Sequence, residues 1–312
     1  MPNNKPARTV ADQIQLLESR GMIFQNESDA HILLKNISYY RLKGYWWDMQ
    51  KDKTIHAFRP DTYFEDVIKR YNFDRKLRLI LFDAIELIEI SLRTKMIYIL
   101  SLKHGGKWYS DSNLFNSKTN KKTCKTLHQE TVDKLKSEFN RSQESFIKDH
   151  KKRYPNDSTP DAWKMLEVAS MGILSRLYKG LNDQSPEKAT IAKEMGLNSH
   201  KELSSWLEAI TYIRNIIAHH SRLWSRNMVK SPKEKLNNPI GQWLTSPILP
   251  VQKKKVYLII CCMIYLCNHI NPNHDIKDRI IDLFKQFSSI EIYKLGFLNN
   301  WDKEPIWCNH SC

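Results

Sequence analysis

Apolar positions recur at helical spacing along most of the chain, and no stretch alternates long enough to read as a strand. Thr9 with Asp12 three residues on is a variant of the capping box, and Gly21 is a stop signal, so a first helix is predicted over 9–20. Ser28 can cap a second run reaching Trp47, with Ile32, Leu33, Ile37 and Tyr40 as its apolar face. A loop with Pro60 follows, and residues 72–103 then form the longest periodic run. Leu77, Leu81, Ile85, Ile88 and Leu92 make one seam, which Leu79, Phe82, Leu87 and Ile90 widen. A helix apolar over so much of its circumference should sit centrally. Its narrow stripe of Glu86, Glu89 and Arg93 is then either a salt-bridged edge or a charged strip facing a groove. A further buried helix is predicted in "DAWKMLEVASMGILSRLYKGL". The apolar run 256–270 is too short to cross a bilayer comfortably and closes on Asn268 and His269, so it is predicted as a core helix. The pattern is all-α.

The stretch "TYIRNIIAHHSRLWSR" (211–226) mixes both kinds of position. Taken as one helix at about 100° per residue, it gathers Trp206, Ile210, Ile213, Ile216, Ile217, His220 and Trp224 on a buried arc. Arg214, Asn215, His219, Arg222 and Arg226 fall on the polar side. His220 is therefore expected to be a packed core histidine and His219 to be accessible.

Charge sharpens the picture. The chain of 312 residues carries 49 basic against 34 acidic residues, a net +15 that favours a polyanionic partner. The excess is localised. Phe115 to Arg153 has eleven basic against five acidic residues, and Arg226 to Lys255 has seven against one. Lys118, Lys121, Lys122 and Lys125, then Lys151, Lys152 and Arg153, and the run Lys253, Lys254 and Lys255 are expected to meet RNA backbone, with Arg222 and Arg226 beside the motif. The alternative for any one of them is a solvated face. The first residues lack the apolar core of a signal peptide, and the six cysteines form no C-x-x-C, so a reduced, cytoplasmic setting is expected.

Arginine supplies a permanent cation with a fork suited to phosphate, histidine a proton near neutrality, and asparagine an orienting amide. Together they suit metal-free cleavage of RNA, in which the 2′-oxygen attacks its neighbouring phosphorus and the cation stabilises the added charge. Arg214, Asn215 and His219 are the candidate catalytic set; a helix face that only grips phosphate is the alternative. No cofactor and no metal is expected. "CNHSC" (308–312) offers Cys308, His310 and Cys312, but the spacing is unlike a zinc site and no fourth ligand is near. Tyr39, Tyr40, Tyr45, Trp46 and Trp47 could stack on bases or be core, and their helical pattern favours core.

"RNIIAHH" resembles the R-N-x-x-A-H form of the R-x4-6-H motif of HEPN ribonucleases, and "HSRLWSR" resembles its continuation in bacterial abortive-infection (Abi-like, AbiD/AbiF) proteins. Three more blocks are similar to that family in order: "ISYYRLKGYW", "FDRKLRLILFDAIELIEISLRTK" and "WKMLEVASMGILSRLYKGL". Ser225 departs from it, where asparagine is usual. The resemblance implies an all-α HEPN-like bundle, a role in antiphage defence, and a metal-independent endoribonuclease leaving 2′,3′-cyclic phosphates. It further implies a homodimer with sites where two motif helices meet, and control by a small structured non-coding RNA, as in some relatives. Arg214 would stabilise phosphate charge, His219 would act in proton transfer or transition-state binding, and Asn215 would support both. Arg214 and His219 lie about 140° apart on an ideal helix, which also favours a site shared between two chains. The expected organisation is an N-terminal helical segment (1–72), a HEPN-like core (73–285) with a basic insertion at about 115–158, and a C-terminal tail (286–312). No membrane partner is expected, and a non-catalytic RNA-binding protein is the other functional class.

Overall fold

The computed structural model describes residues 6–233, 236 and 239–308. Thirteen α-helices are found among them: α1 (Val10–Glu18), α2 (Glu27–Ile37), α3 (Tyr39–Trp46), α4 (Phe64–His104), α5 (Leu127–Arg141), α6 (Ser145–Arg153), α7 (Ala162–Met165), α8 (Met171–Gly180), α9 (Pro186–Glu194), α10 (His200–Ala218), α11 (Pro250–Lys253), α12 (Tyr257–Ile270) and α13 (Ile276–Gln286). Sheet is confined to two short pairs, Met22–Ile23 parallel to Thr62–Tyr63 and Gln50–Asp52 antiparallel to Ala57–Phe58.

The long α4 is the spine. α12 and α13 pack along it, and α3, α8, α9 and α10 also touch it. Its seam of Leu77, Leu81, Ile85, Ile88 and Leu92 is buried, as its spacing predicts, whereas Leu79, Phe82 and Ile90 are exposed and Leu87 is only half-buried. The widened seam is therefore corrected. Neighbouring helices cover one side of α4, and the apolar residues that widen the pattern line its open side. α12 is buried through Cys267, including Cys261 and Cys262, and no helix among the described residues is long and apolar enough to cross a membrane. Burial pushes the Cys261 and Cys267 thiols up to about 12, so neither is a ready nucleophile.

The N-terminal helices depart from the single run expected there. α1 has its Thr9–Asp12 capping box and Gly21 at positive φ. Asn26, rather than Ser28, caps α2. The chain then breaks at Ser38, whose φ of 72° ends α2 while its hydroxyl starts α3. The break rotates the apolar register: Ala30, Leu34, Leu42, Tyr45 and Trp46 are buried, and Ile32 and Tyr40 are exposed. One core runs from Ile14 to Trp307. α4 crosses position 72 without interruption, and Ile290, Leu295, Phe297, Ile306 and Trp307 beyond 286 are buried in the same core.

Candidate functional site

α10 carries the motif. Ser199 caps it, and Trp206, Ile210, Ile213, Ile216 and Ile217 are buried on the face predicted for them. The helix stops at Ala218, however, eight residues short of the wheel drawn from the sequence. The His220 N–H donates to the Ile217 carbonyl at 2.8 Å and the Ser221 N–H to the Ile216 carbonyl at 2.8 Å. That double bond pattern is a Schellman ending, and it needs a left-handed residue after the cap. His220 supplies it with φ 52°, in a position where glycine would avoid the Cβ strain. His220 is consequently exposed, which corrects its assignment to the core. His219 is exposed too, as the cap residue with its N–H on the Asn215 carbonyl at 3.1 Å.

Past His220 the chain is latched by α3 and α4. Asp74 is fully buried and accepts the Tyr45 hydroxyl at 2.7 Å, the Trp224 N–H at 2.7 Å and the Leu223 N–H at 3.1 Å, with Arg78 at 3.4 Å. Burial pushes the Asp74 carboxyl up from its ordinary value, while the Tyr45 hydroxyl, Arg78 and the two N–H groups pull it back. Arg41 donates to the His220 carbonyl at 2.7 Å, and Trp224 packs edge-on against Phe73 with the Arg70 guanidinium over its ring. "YYRLKGYW", "FDRKLR" and "HSRLW" thus converge on one buried carboxylate. Arg222 donates to the Trp224 carbonyl and Arg226 to the Arg222 carbonyl at 3.1 Å. Lys255 reaches the Ser225 carbonyl at 3.0 Å. These three basic residues bind the latch itself.

Arg214 has a different setting. It is half-buried and makes no hydrogen bond or ion pair among the described residues, and it lies where three clefts meet. The first, of about 650 Å³, is bounded by α5, α8 and α10 and also takes Asn215, Thr211, Lys134, Arg176, Lys179 and Lys230. The second, of about 300 Å³, brings Glu86, Glu89 and Arg93 together with Arg214, Phe82 and Ile90. The charged stripe of α4 therefore fronts a cleft. Arg93 binds Glu89 at 3.0 Å and the Ala169 carbonyl at 3.0 Å. Burial raises the Glu89 carboxyl against the opposing pull of Arg93 and Arg214. At the start of α8, Glu138 accepts the Ser170 N–H at 3.2 Å. His219 lines none of these three clefts.

Lys134, Arg176, Lys179 and Lys230 were not singled out in the sequence. A signal was available: Arg176 and Lys179, three apart, form the polar edge of a helix whose Ile173, Leu174, Leu177 and Tyr178 are buried. Of the basic residues that were, Lys118, Lys121, Lys122, Lys152, Arg153 and Lys254 are exposed. Lys125 is paired with Asp133 at 2.7 Å, and Lys151 caps α5 through the Asn140 carbonyl at 2.8 Å. Lys253 is half-buried on α11. Among the described residues no cluster of three or more His, Cys, Asp or Glu could hold a metal; His310 and Cys312 lie outside them.

A family model described as Abi-like protein matches residues 32–225, a span that holds the Asp74 latch and the Arg214 clefts together. No curated protein and no solved structure matches the chain.

Proposed function

The chain belongs to the Abi-like protein family, and on that premise we propose that it is an abortive-infection protein of antiphage defence acting in the cytoplasm as a metal-independent HEPN endoribonuclease. The observation that carries the reading is the free Arg214 guanidinium at the meeting of three clefts, five residues before an exposed histidine. A buried-edge guanidinium with no partner of its own is poised for phosphate, since nothing has to be released before it binds. His219 takes the 2′-OH proton, and that oxygen attacks the adjacent phosphorus. Arg214 stabilises the extra negative charge, Asn215 orients a phosphate oxygen, and the 5′-oxygen leaves with a proton from His219.

Arg214 opens into the clefts that His219 does not line, so one chain offers half of this chemistry at each place. A second copy supplies the other half. The exposed apolar residues Phe82 and Ile90 line the same cleft as Arg214, with Leu79 one turn before Phe82 on α4, and such a stripe suits a two-fold interface. A small structured non-coding RNA held on the basic surface would keep the nuclease latent.

The test uses protein freed of co-purified RNA. Single-stranded RNA should be cut in EDTA to 2′,3′-cyclic phosphate ends by a dimer, and Phe82→Glu should give monomers by light scattering and lose the activity. Cleavage that depends wholly on added Mg²⁺ overturns the mechanism. Tight RNA binding without any cleavage leaves a clamp, the non-catalytic reading.

A further inference from the structure

A second cationic concavity lies on the N-terminal helices and shares no lining residue with the Arg214 clefts. It measures about 450 Å³, and its walls include Arg8, Arg20, Tyr39, Tyr40, Lys43 and His56. None of its lining residues is acidic. Of the carboxylates nearby in sequence, Asp12 caps α1 through Thr9 and Asp52 accepts the Thr54 and Ile55 N–H groups, while Glu18 is exposed on α1. The lining thus gathers three cations and no carboxylate, which favours a visiting anion.

Aromatic rings complete the hollow. Tyr40, Lys43 and Trp47 stand at i, i+3 and i+7, which puts them on one face of α3 and its continuation. Tyr40 is 85% exposed and Trp47 42% exposed. Lys43 Nζ sits 6.0 Å from the Tyr40 ring centre and 5.7 Å from that of Trp47, and Lys53 Nζ lies 5.6 Å from Trp47 on its hairpin. Tyr39 is held in place, with its hydroxyl accepting Arg20 at 3.1 Å and its ring edge-on to buried Trp46 at 5.0 Å. The result is a ladder of flat rings alternating with ammonium groups above a basic hollow.

We propose that this cleft is a second RNA site, which takes an unpaired nucleotide with its base stacked on Tyr40 and its phosphate among Arg8, Arg20 and Lys43. Stacking tolerates any base because every base has a π-face, and the cations hold the backbone without reading sequence. The site goes beyond the nuclease reading and stands without it, because binding here involves no reacting group.

A single-stranded 2′-O-methyl RNA oligonucleotide separates the two questions, since it has no 2′-OH to cleave. With RNA-free full-length protein, Tyr40→Ala should weaken its binding about tenfold and leave the salt dependence unchanged. Arg8→Gln with Lys43→Gln should instead flatten the slope of log affinity against log salt by about 0.7, the value for one lost phosphate contact. A 4-thiouridine version should crosslink to residues 39–47. The side chains changed are at the surface, and an unchanged melting temperature verifies that each variant is folded. Unaltered affinity in both variants, or crosslinks confined to other segments, overturns the proposal. So does capture by phosphatidylserine vesicles with no crosslink to RNA. Loss of cleavage in the wild-type protein leaves it standing, so the two readings fail separately.

Discussion

α4 builds two acid–arginine pairs at the same i,i+4 spacing, and they are put to opposite uses. Asp74 and Arg78 are sealed in the interior, where the carboxylate also takes one hydroxyl and two backbone N–H groups. Glu89 and Arg93, some four turns along, border open clefts, and the nearest extra cation, Arg214, stays unbonded. The Asp74 carboxylate has both of its oxygens bonded by the chain, so its charge only holds the fold. The second leaves charge unspent at a surface, and that is where a ligand can bind. A buried ion pair is costly to break because the survivor is stranded without water, whereas a cation at a cleft can be removed at small cost to the fold.

The largest expected effect follows from that contrast. Asp74→Ala should cost about 3–5 kcal/mol of stability, because Arg78 and two N–H groups lose their buried partner; a thermal or urea melt within 1 kcal/mol of wild type, on the scale of ordinary surface changes, would show that the latch carries little. Next comes Arg214→Ala, which should lower RNA cleavage by about 10²–10³-fold on the scale of a lost oxyanion donor while the melt stays within about 0.5 kcal/mol. His219→Ala should behave alike. A large fall in stability in either variant would move those residues to the Asp74 side of the comparison.

Glu89→Gln gives a smaller effect with a pH signature. The Glu89 carboxyl is raised chiefly by burial, so its ionised form opposes folding fully at pH above the raised value, and that cost fades as pH falls through the raised value and is gone below the ordinary glutamate value of about 4.3. Glutamine should therefore be neutral or stabilising at pH 7 and near wild type at acid pH. It should also tighten phosphate binding by about two- to fivefold by removing a negative neighbour of Arg214, within the modest range of exposed charge pairs. Weaker RNA binding at pH 7 would instead assign Glu89 to holding Arg214 in place. The smallest effect is at His220. His220→Gly should raise stability by up to about 1 kcal/mol, since the left-handed backbone there strains any Cβ. A clear loss on differential scanning calorimetry would mean that the imidazole has an unseen partner.

Much of this protein was legible in its pattern. Periodicity alone gave the helical class, the buried seam of α4, the core helix 257–270 and the buried face of α10, because each is a local repeat that only needs one side to be covered. It differs from the structure in two places, for a shared reason. The wheel through 211–226 ran past Ala218 because no glycine or proline marks the end; a Schellman turn at His220 ended it instead, held by the Asp74 latch some 150 residues away in sequence. The widened α4 seam and Tyr40 were read as core because apolar character says that a side chain would gain from burial, not that anything covers it. Lys125, Lys151, Arg222 and Lys255 have partners in the fold that no pattern could show, because sequence shows charge without its partner.

Sequence by itself determined which residues could do chemistry and which helix bears them, since residue type and spacing belong to the chain. Tertiary structure decided which charges are spent. Long-range packing brings α3, α4 and the segment after the motif onto Asp74 and fills both of its oxygens, while the same packing leaves Arg214 facing open clefts with its guanidinium free. That division depends on which side of a helix its neighbours cover, and a local repeat holds no record of it.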